Sequence, residues 1–349
     1  MALMRRGTKL KKLREQVVVI TGASSGIGLA TARMAASRGA RVLLTSRNER
    51  DLARVTQEIR ARGGNAAFAV ADVADPEAVE RVADAAVREF GAIDTWVNNA
   101  GVSIYGKLIE VPLEDKRRMF ETNFWGVVHG CRTAIKHLRT RGGAIVNIGS
   151  IVSDLAIPLQ GMYSASKHAV LGYTNALRLE LEHDRLPISV SLVKPSAIDT
   201  PFLDHARNYM DAAPNFPPPV YEPDLAARAI LRCAERRIRD VTVGGGGRIM
   251  TAIGRLAPRA MDRYLEAAMF RQQRDPDRPA RRPDSLFEPS RDGLAHGPYS
   301  GRVMKSSAYT TLATSSVARA LPFIAAGVVL AAVSKGAVRP AAATGAPRD

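Results

Sequence analysis

A parallel, doubly wound α/β sheet is the fold class that this 349-residue sequence predicts. Two observations carry it. Short apolar runs rich in β-branched residues alternate with helical stretches, the pattern of strand–helix–strand units that place their strands parallel. The first such run, 17–20, opens directly into the glycine-rich turn Thr21-Gly22-Ala23-Ser24-Ser25-Gly26-Ile27-Gly28, and a helical stretch follows.

The elements follow in order. Residues 17–20 form a buried strand. Residues 29–37 are alanine-rich and helical and stop at Gly39, and 41–45 form the second strand. A mixed polar and apolar helix spans 51–61 and ends at Gly63-Gly64. Residues 66–70 are a third strand, and Asp75-Pro76 starts a helix that runs to Phe90. An acidic cap followed by proline at the first helical position is a strong start signal. A fourth strand falls at 93–97, and further strands at 144–148, 188–193 and 240–243. Long helices are expected near 114–138 and 162–183, and the proline-rich stretch 214–223 reads as a loop or lid. Gly244 to Gly247 break the sheet pattern. The segment 275–300, rich in Pro, Arg and Asp, is expected to be extended or loosely ordered. The chain thus divides into a basic N-terminal segment (1–13), a nucleotide-binding catalytic domain (14–245) and an extension (246–349).

Hydrophobic residues make up 46% of the chain, enough for a substantial core. Net charge is +16, with clusters at Arg5, Arg6, Lys9, Lys11, Lys12 and Arg14 and again from Arg271 to Arg282. Such a balance attracts polyanions, but no zinc finger or aromatic RNA-binding motif accompanies it, so specific nucleic-acid binding is not expected. Two cysteines, Cys131 and Cys233, give neither a disulfide framework nor a metal-ligand spacing, and no metal site is read from the scattered histidines. With no apolar leader at the start, a cytoplasmic protein is expected. The apolar run 320–333 would span only ~21 Å as a helix, against about 30 Å for a bilayer core. It leaves open a membrane-surface contact through the tail or a helix packed on protein.

The chemistry sits in four places. A strand, a glycine turn and a helix N-terminus bind phosphate through main-chain N–H groups and the helix dipole. Gly22 permits the tight turn, Gly26 the approach of a pyrophosphate and Gly28 the packing of helix on strand. The end of the second strand normally selects the cofactor, an acid favouring the ribose 2′-hydroxyl and a base the 2′-phosphate. Here it reads Thr45-Ser46-Arg47. Arg47 can pair with phosphate in fork geometry and Ser24 can add a hydrogen bond, so NADP(H) is expected over NAD(H). Tyr163 and Lys167 lie one helical turn apart, on one face. The ammonium is expected to draw the phenol toward working pH and make it a general acid or base. Ser150 follows the strand at 144–148, at the carboxyl end where α/β sites gather.

Taken together these motifs resemble the short-chain dehydrogenase/reductase family, in its standard-length NADP-preferring branch, over roughly residues 14–245. The resemblance implies a Rossmann-like sheet of about seven strands. It also implies cofactor contacts from Gly22, Ser24, Ser25, Gly26, Ile27 and Gly28, from Arg47, from Asp72 and Val73 at the adenine, and from Asn99, Ala100 and Gly101. Pro195, Ile198 and Thr200 would meet the nicotinamide, and Tyr163 and Lys167 its ribose. The catalytic set would be Asn123, Ser150, Tyr163 and Lys167: Tyr163 gives the proton, Ser150 orients the carbonyl, and Asn123 completes the proton path. Three departures stand out: Ser25 where many NADP-preferring members carry Arg or Lys, Ser196 for the glycine after Pro195, and the extension itself.

The expected activity is interconversion of a carbonyl and a secondary alcohol on a hydrophobic, lipid-like, steroid-like or aromatic substrate. Its contacts would come from Ser103, Ile104, Tyr105, Ile157, Leu159, Met162, Phe202, Leu203, Tyr209, Met210 and Phe216. The family resemblance implies a homodimer or homotetramer built on the helices near 114–138 and 162–183. The alternative is a nucleotide-sensing or scaffold protein with the same fold and no turnover.

Overall fold

The computed structural model describes residues 9–280, 283–289 and 292–315. Among them a parallel sheet is built from β1 (Val17–Thr21), β2 (Arg41–Ser46), β3 (Asn65–Val70), β4 (Thr95–Asn98), β5 (Gly143–Ile148), β6 (Ile188–Pro195) and β7 (Asp240–Val243). Their spatial order is β7-β6-β5-β4-β1-β2-β3, a seven-stranded doubly wound sheet. The chain order reverses between β1 and β4, so a crevice opens beyond their carboxyl ends. Register fixes that edge: Thr21 pairs with Thr45, and Asn98 with Asn147.

Strand side chains alternate between two cores. Val18 and Ile20 face one core with α1 (Gly26–Ser37), α2 (Glu49–Ala61) and α7 (Pro223–Glu235). Val19 and Trp96 face the other with α3 (Pro76–Phe90), α5 (Gly126–Leu138) and α6 (Gly161–His183). Asp75 accepts from Glu77 N ahead of Pro76, as the start signal required, and Gly91 closes α3 at φ 78°. The second core carries a buried polar chain. Trp96 Nε1 donates to Asn98 Oδ1 (2.8 Å), Asn98 Nδ2 to Asn147 Oδ1 (2.8 Å), and Asn147 Nδ2 to Thr174 Oγ1 (2.9 Å).

One expected helix is corrected. The stretch near 114–138 is α4 (Leu113–Phe120), a π-helical turn over Glu121–Trp125, and then α5. Apolar periodicity does not register one extra residue in a turn, which is what a π turn inserts.

Beyond β7 the chain folds back against the domain and adds to a separate small sheet. Thr310 of the short helix Ala308–Thr314 accepts from Gly244 N at 2.9 Å. Val303 and Met304 add a strand beside Val220 and Tyr221, which in turn pair with Ala197 and Ile198. Met261, Leu265 and Met269, on the helix Pro258–Gln272, pack on Leu155 and Ile157. The described parts of the stretch expected to be extended, 275–280, 283–289 and 292–300, contain no helix, and the last two are bonded along the crevice. The apolar run 320–333 and the first residues of the basic N-terminal segment lie outside the described residues.

Candidate active site

The glycine turn is held in place from below. Asn99 Nδ2 donates to the carbonyls of Thr21 (2.9 Å) and Gly22 (3.2 Å), and Thr21 Oγ1 accepts from the N–H groups of Asn99 (2.9 Å) and Ala100 (3.0 Å). Gly22 sits at φ +64°, and a Cβ on it would lie 2.8 Å from Ala100 Cα. A Cβ on Gly28 would come within 2.1 Å of Gly22 O and 2.6 Å of Asn99 Nδ2. Neither is the end of a flexible side chain free to retreat. Gly28→Ala is therefore expected to destabilise the fold by at least about 3 kcal/mol and to abolish nucleotide binding. Urea unfolding with a parallel binding titration checks this, and a variant of wild-type stability would refute the packing role.

Ser25 precedes α1 without a side-chain cap bond, and the first turn of the helix carries no acid. Its N–H groups are thus free of the usual internal carboxylate and suited to an external anion. Above this turn the catalytic-type residues converge. Ser150 follows β5 and caps a short 3₁₀ turn: its hydroxyl accepts from Val152 N at 3.3 Å and donates to Pro195 O at 3.4 Å. Tyr163 and Lys167 come from the first turns of α6, both buried, and the Phe202 ring stands 5.5 Å from that of Tyr163.

Burial pushes the Tyr163 phenol above its ordinary value, and a hydrogen bond with Ser150 opposes it. Burial also draws the Lys167 ammonium down to about 8. The expectation that Lys167 draws the phenol down is not met in this arrangement. The lysine Nζ is turned to Ile148 O (2.9 Å), with the Tyr163 ring centroid 5.7 Å away. Desolvation dominates both groups.

Asn123 lies in the π turn, fully buried. Its Oδ1 accepts from Val102 N (2.8 Å), and its Nδ2 donates to Val102 O (2.9 Å) and Ser166 Oγ (3.1 Å). A Cβ on Gly101 would touch Asn123 Oδ1 at 3.4 Å and Lys167 Nζ at 3.7 Å. The asparagine thus backs the site through that glycine.

A cavity of about 270 Å³ joins these parts. Its wall takes in Gly22, Ser24, Ser25, Gly26, Ile27, Arg47, Asp72, Val73, Asn99, Ala100 and Gly101 at one end. Ser150, Tyr163, Lys167, Pro195, Ile198 and Thr200 line the other. Gly28 and Asn123 support the wall from behind. Of the expected substrate contacts, Tyr105, Ile157, Phe202 and Phe216 line the cavity, whereas Ser103, Ile104, Leu159, Met162, Leu203, Tyr209 and Met210 do not. Instead Met210 packs with Tyr105 and Leu203, and Tyr209 donates to Asp115.

Three features fit a dinucleotide: a helix start without a side-chain cap, the glycine cradle, and an ammonium with donors to spare. Lys167 has three N–H donors, and among the described residues its one hydrogen-bond acceptor is Ile148 O.

Sequence reasoning missed the far rim. Arg47 donates to the main-chain carbonyls of Ser285, Leu286 (3.3 Å), Phe287 (2.9 Å) and Glu288 (3.3 Å). Arg118 bridges Asp72 (2.5 Å) and Leu286 O (3.1 Å). Burial opposes ionisation of Asp72, but Ala74 N, Arg118 and Arg47 hold it below the usual carboxylate range. Ser285 and Pro289 complete the cavity wall. Main-chain acceptors leave no signature in side-chain identity, so nothing in the sequence of this segment announced them.

Comparison with known proteins agrees with this geometry. The chain is 42% identical over 335 residues to the uncharacterized oxidoreductase YxnA of Bacillus subtilis (strain 168), covering 95% of this chain and 92% of the relative. It is 38% identical over 194 residues to a 3-ketodihydrosphingosine reductase of Bacteroides thetaiotaomicron, covering 55% and 68% respectively. The crystal structure of a short chain dehydrogenase/reductase from Burkholderia phymatum in complex with NAD superposes with a TM-score of 0.65 at 28% identity, over 77% of this chain and 99% of that one. The profile of the short chain dehydrogenase family matches residues 16–211. With the glycine turn, the Ser150–Tyr163–Lys167 group and the sheet order all in place, the chain belongs to the short chain dehydrogenase family.

Proposed function

We propose that the protein is an NADP(H)-dependent oxidoreductase that interconverts a hydrophobic ketone or aldehyde and the corresponding alcohol. The observation that carries this is the single cavity joining a phosphate-type helix start to a buried Ser–Tyr–Lys group. A bound nicotinamide supplies hydride to carbon, or takes it away. In the reductive direction Tyr163 donates its proton to the carbonyl oxygen. Its burial favours the protonated phenol, the form an acid needs. Ser150, whose hydroxyl acts on the Tyr163 phenol and opposes the rise in its pKa, holds the same oxygen. Lys167 offers its remaining N–H groups to ribose hydroxyls, and Asn123 serves the proton path behind it.

Tyr105, Ile157, Phe202 and Phe216 make the substrate end apolar. The similarity to a 3-ketodihydrosphingosine reductase supports a lipid-like ketone as the substrate class. Arg47, at the end of β2, supports NADP(H) over NAD(H). A homo-oligomer built on α4, α5 and α6 is proposed as well, since α4, the π turn before α5 and α6 expose Leu113, Trp125 and Leu179 respectively.

The test is a titration with NADPH and NADH followed by nicotinamide fluorescence, then turnover on a panel of hydrophobic ketones and aldehydes. NADPH is expected to bind at least roughly tenfold more tightly. Equal binding would overturn the cofactor assignment, and no turnover across the panel would overturn the substrate class.

A further inference from the structure

The described runs 283–289 and 292–300 lie as a strap along the rim of the cavity, far in sequence from everything they touch. At the adenosine end the strap is gripped by Arg47. Both terminal nitrogens of the guanidinium are spent, each on two carbonyls of residues 285–288. Farther along, Arg54 Nη2 donates to Gly293 O (2.8 Å) and Gly26 N to Leu294 O (2.8 Å). His205 Nε2 lies 2.5 Å from Asp292 Oδ2, and Tyr299 N donates to Asp199 at 3.4 Å. The strap is thus latched at several separate points, and one of them is the side chain proposed to read the cofactor.

A phosphate that takes the Arg47 fork needs the N–H groups that the four carbonyls now hold. It would also meet those carbonyl oxygens, and the Glu288 carboxylate lies close enough to act on Arg47 electrostatically. A ribose 2′-hydroxyl makes no such demand. Because the strap is part of the same chain, it competes at high effective concentration.

We propose that the strap and the 2′-phosphate of NADP(H) compete for Arg47, so that residues 285–288 set how strongly the enzyme discriminates between the two nicotinamide cofactors. This rests on the cofactor reading given above. NADP(H) displaces residues 285–288 from Arg47, whereas NAD(H) leaves that grip intact; both need Leu294 O to give up Gly26 N to the pyrophosphate. Loosening the strap elsewhere then strengthens NADP(H) binding selectively.

Asp292→Ala removes the latch to His205, a residue of the cavity wall, and leaves Arg47 and the 285–288 carbonyls unchanged. It is expected to tighten NADPH binding roughly three- to tenfold, with NADH changing less than about twofold. Arg54→Ala, which frees Gly293 O from a half-exposed side chain, should act in the same direction and stands in if the first variant folds poorly. Amide exchange gives a readout apart from activity. The bonded N–H group of Ser285 should exchange faster with NADPH than without cofactor, and unchanged with NADH. Equal tightening of both cofactors, or slower exchange of the strap with NADPH, would overturn the competition and make the strap a plain cover. Arg47→Leu separates the two levels. If it leaves NADPH affinity intact, the cofactor reading falls. If it weakens NADPH binding while strap exchange and the Asp292→Ala affinities do not respond, only the competition falls.

Discussion

Tyr163→Phe is expected to lower carbonyl reduction by roughly 10²- to 10⁴-fold, the usual contribution of a positioned proton donor. The ring stays, so its contact with Phe202 and its cover over Lys167 stay too. NADPH affinity and urea midpoint should therefore remain within about twofold and about 1 kcal/mol of wild type. That pattern, activity lost with binding and stability kept, separates a proton donor from a packing residue. A variant retaining a third or more of wild-type turnover would remove Tyr163 from the chemistry. Ser150→Ala is the natural companion, since it takes away the one hydrogen bond that opposes the rise in the phenol's pKa.

Lys167 makes the second large effect, and here function and stability pull apart. Its buried ammonium titrates near 8, against an ordinary 10.5. The folded state therefore binds fewer protons than the unfolded chain between those two values, and stability rises with pH through that window. Below about pH 8 the cost of holding the charge is fully present, and above 10.5 it is gone. Lys167→Met lacks this dependence. Urea unfolding of both proteins at pH 7 and near pH 10.5 should show the wild type recovering roughly 3 kcal/mol relative to the variant. Other groups titrate in the same range, but they are common to both proteins and cancel in the difference. The variant should also lose NADPH affinity, because the spare N–H groups go with the ammonium. Parallel pH profiles for the two proteins would mean that Lys167 is not charged and buried in the folded state.

The sheet was legible because its causes are local. The strands are short apolar runs, most of them rich in β-branched residues, α3 is announced by Asp75 and Pro76, and the glycine turn must sit where a strand meets a helix. The residues lining the cavity were legible for the same reason, since they occupy the carboxyl ends of strands that local pattern had already placed. What escaped depends on contacts between distant parts of the chain. The spacing of Tyr163 and Lys167 puts them on one face, but which way each titrates is decided by how much protein closes over them. Arg47 was identified by its place at the end of β2, yet its partners are carbonyls about 240 positions later. The Pro-, Arg- and Asp-rich stretch carries no periodicity, and a main-chain strap needs none.

The π turn at Glu121–Trp125 bears on which length changes this chain can tolerate. One residue more or less rotates everything downstream on a helix by about 100°. A deletion there would leave a smoother helix. It would also swing Val127, Cys131, Ala134 and Leu138 off the sheet face they now cover. Asn123 would leave Val102 and Ser166 in the same movement. Substitutions in this turn can be absorbed one side chain at a time, but an insertion or deletion shifts the core and the site together. Length variation between α4 and α5 should accordingly be rarer among functional variants than change of residue type, and a deletion scan of residues 118–128 would reveal that asymmetry directly.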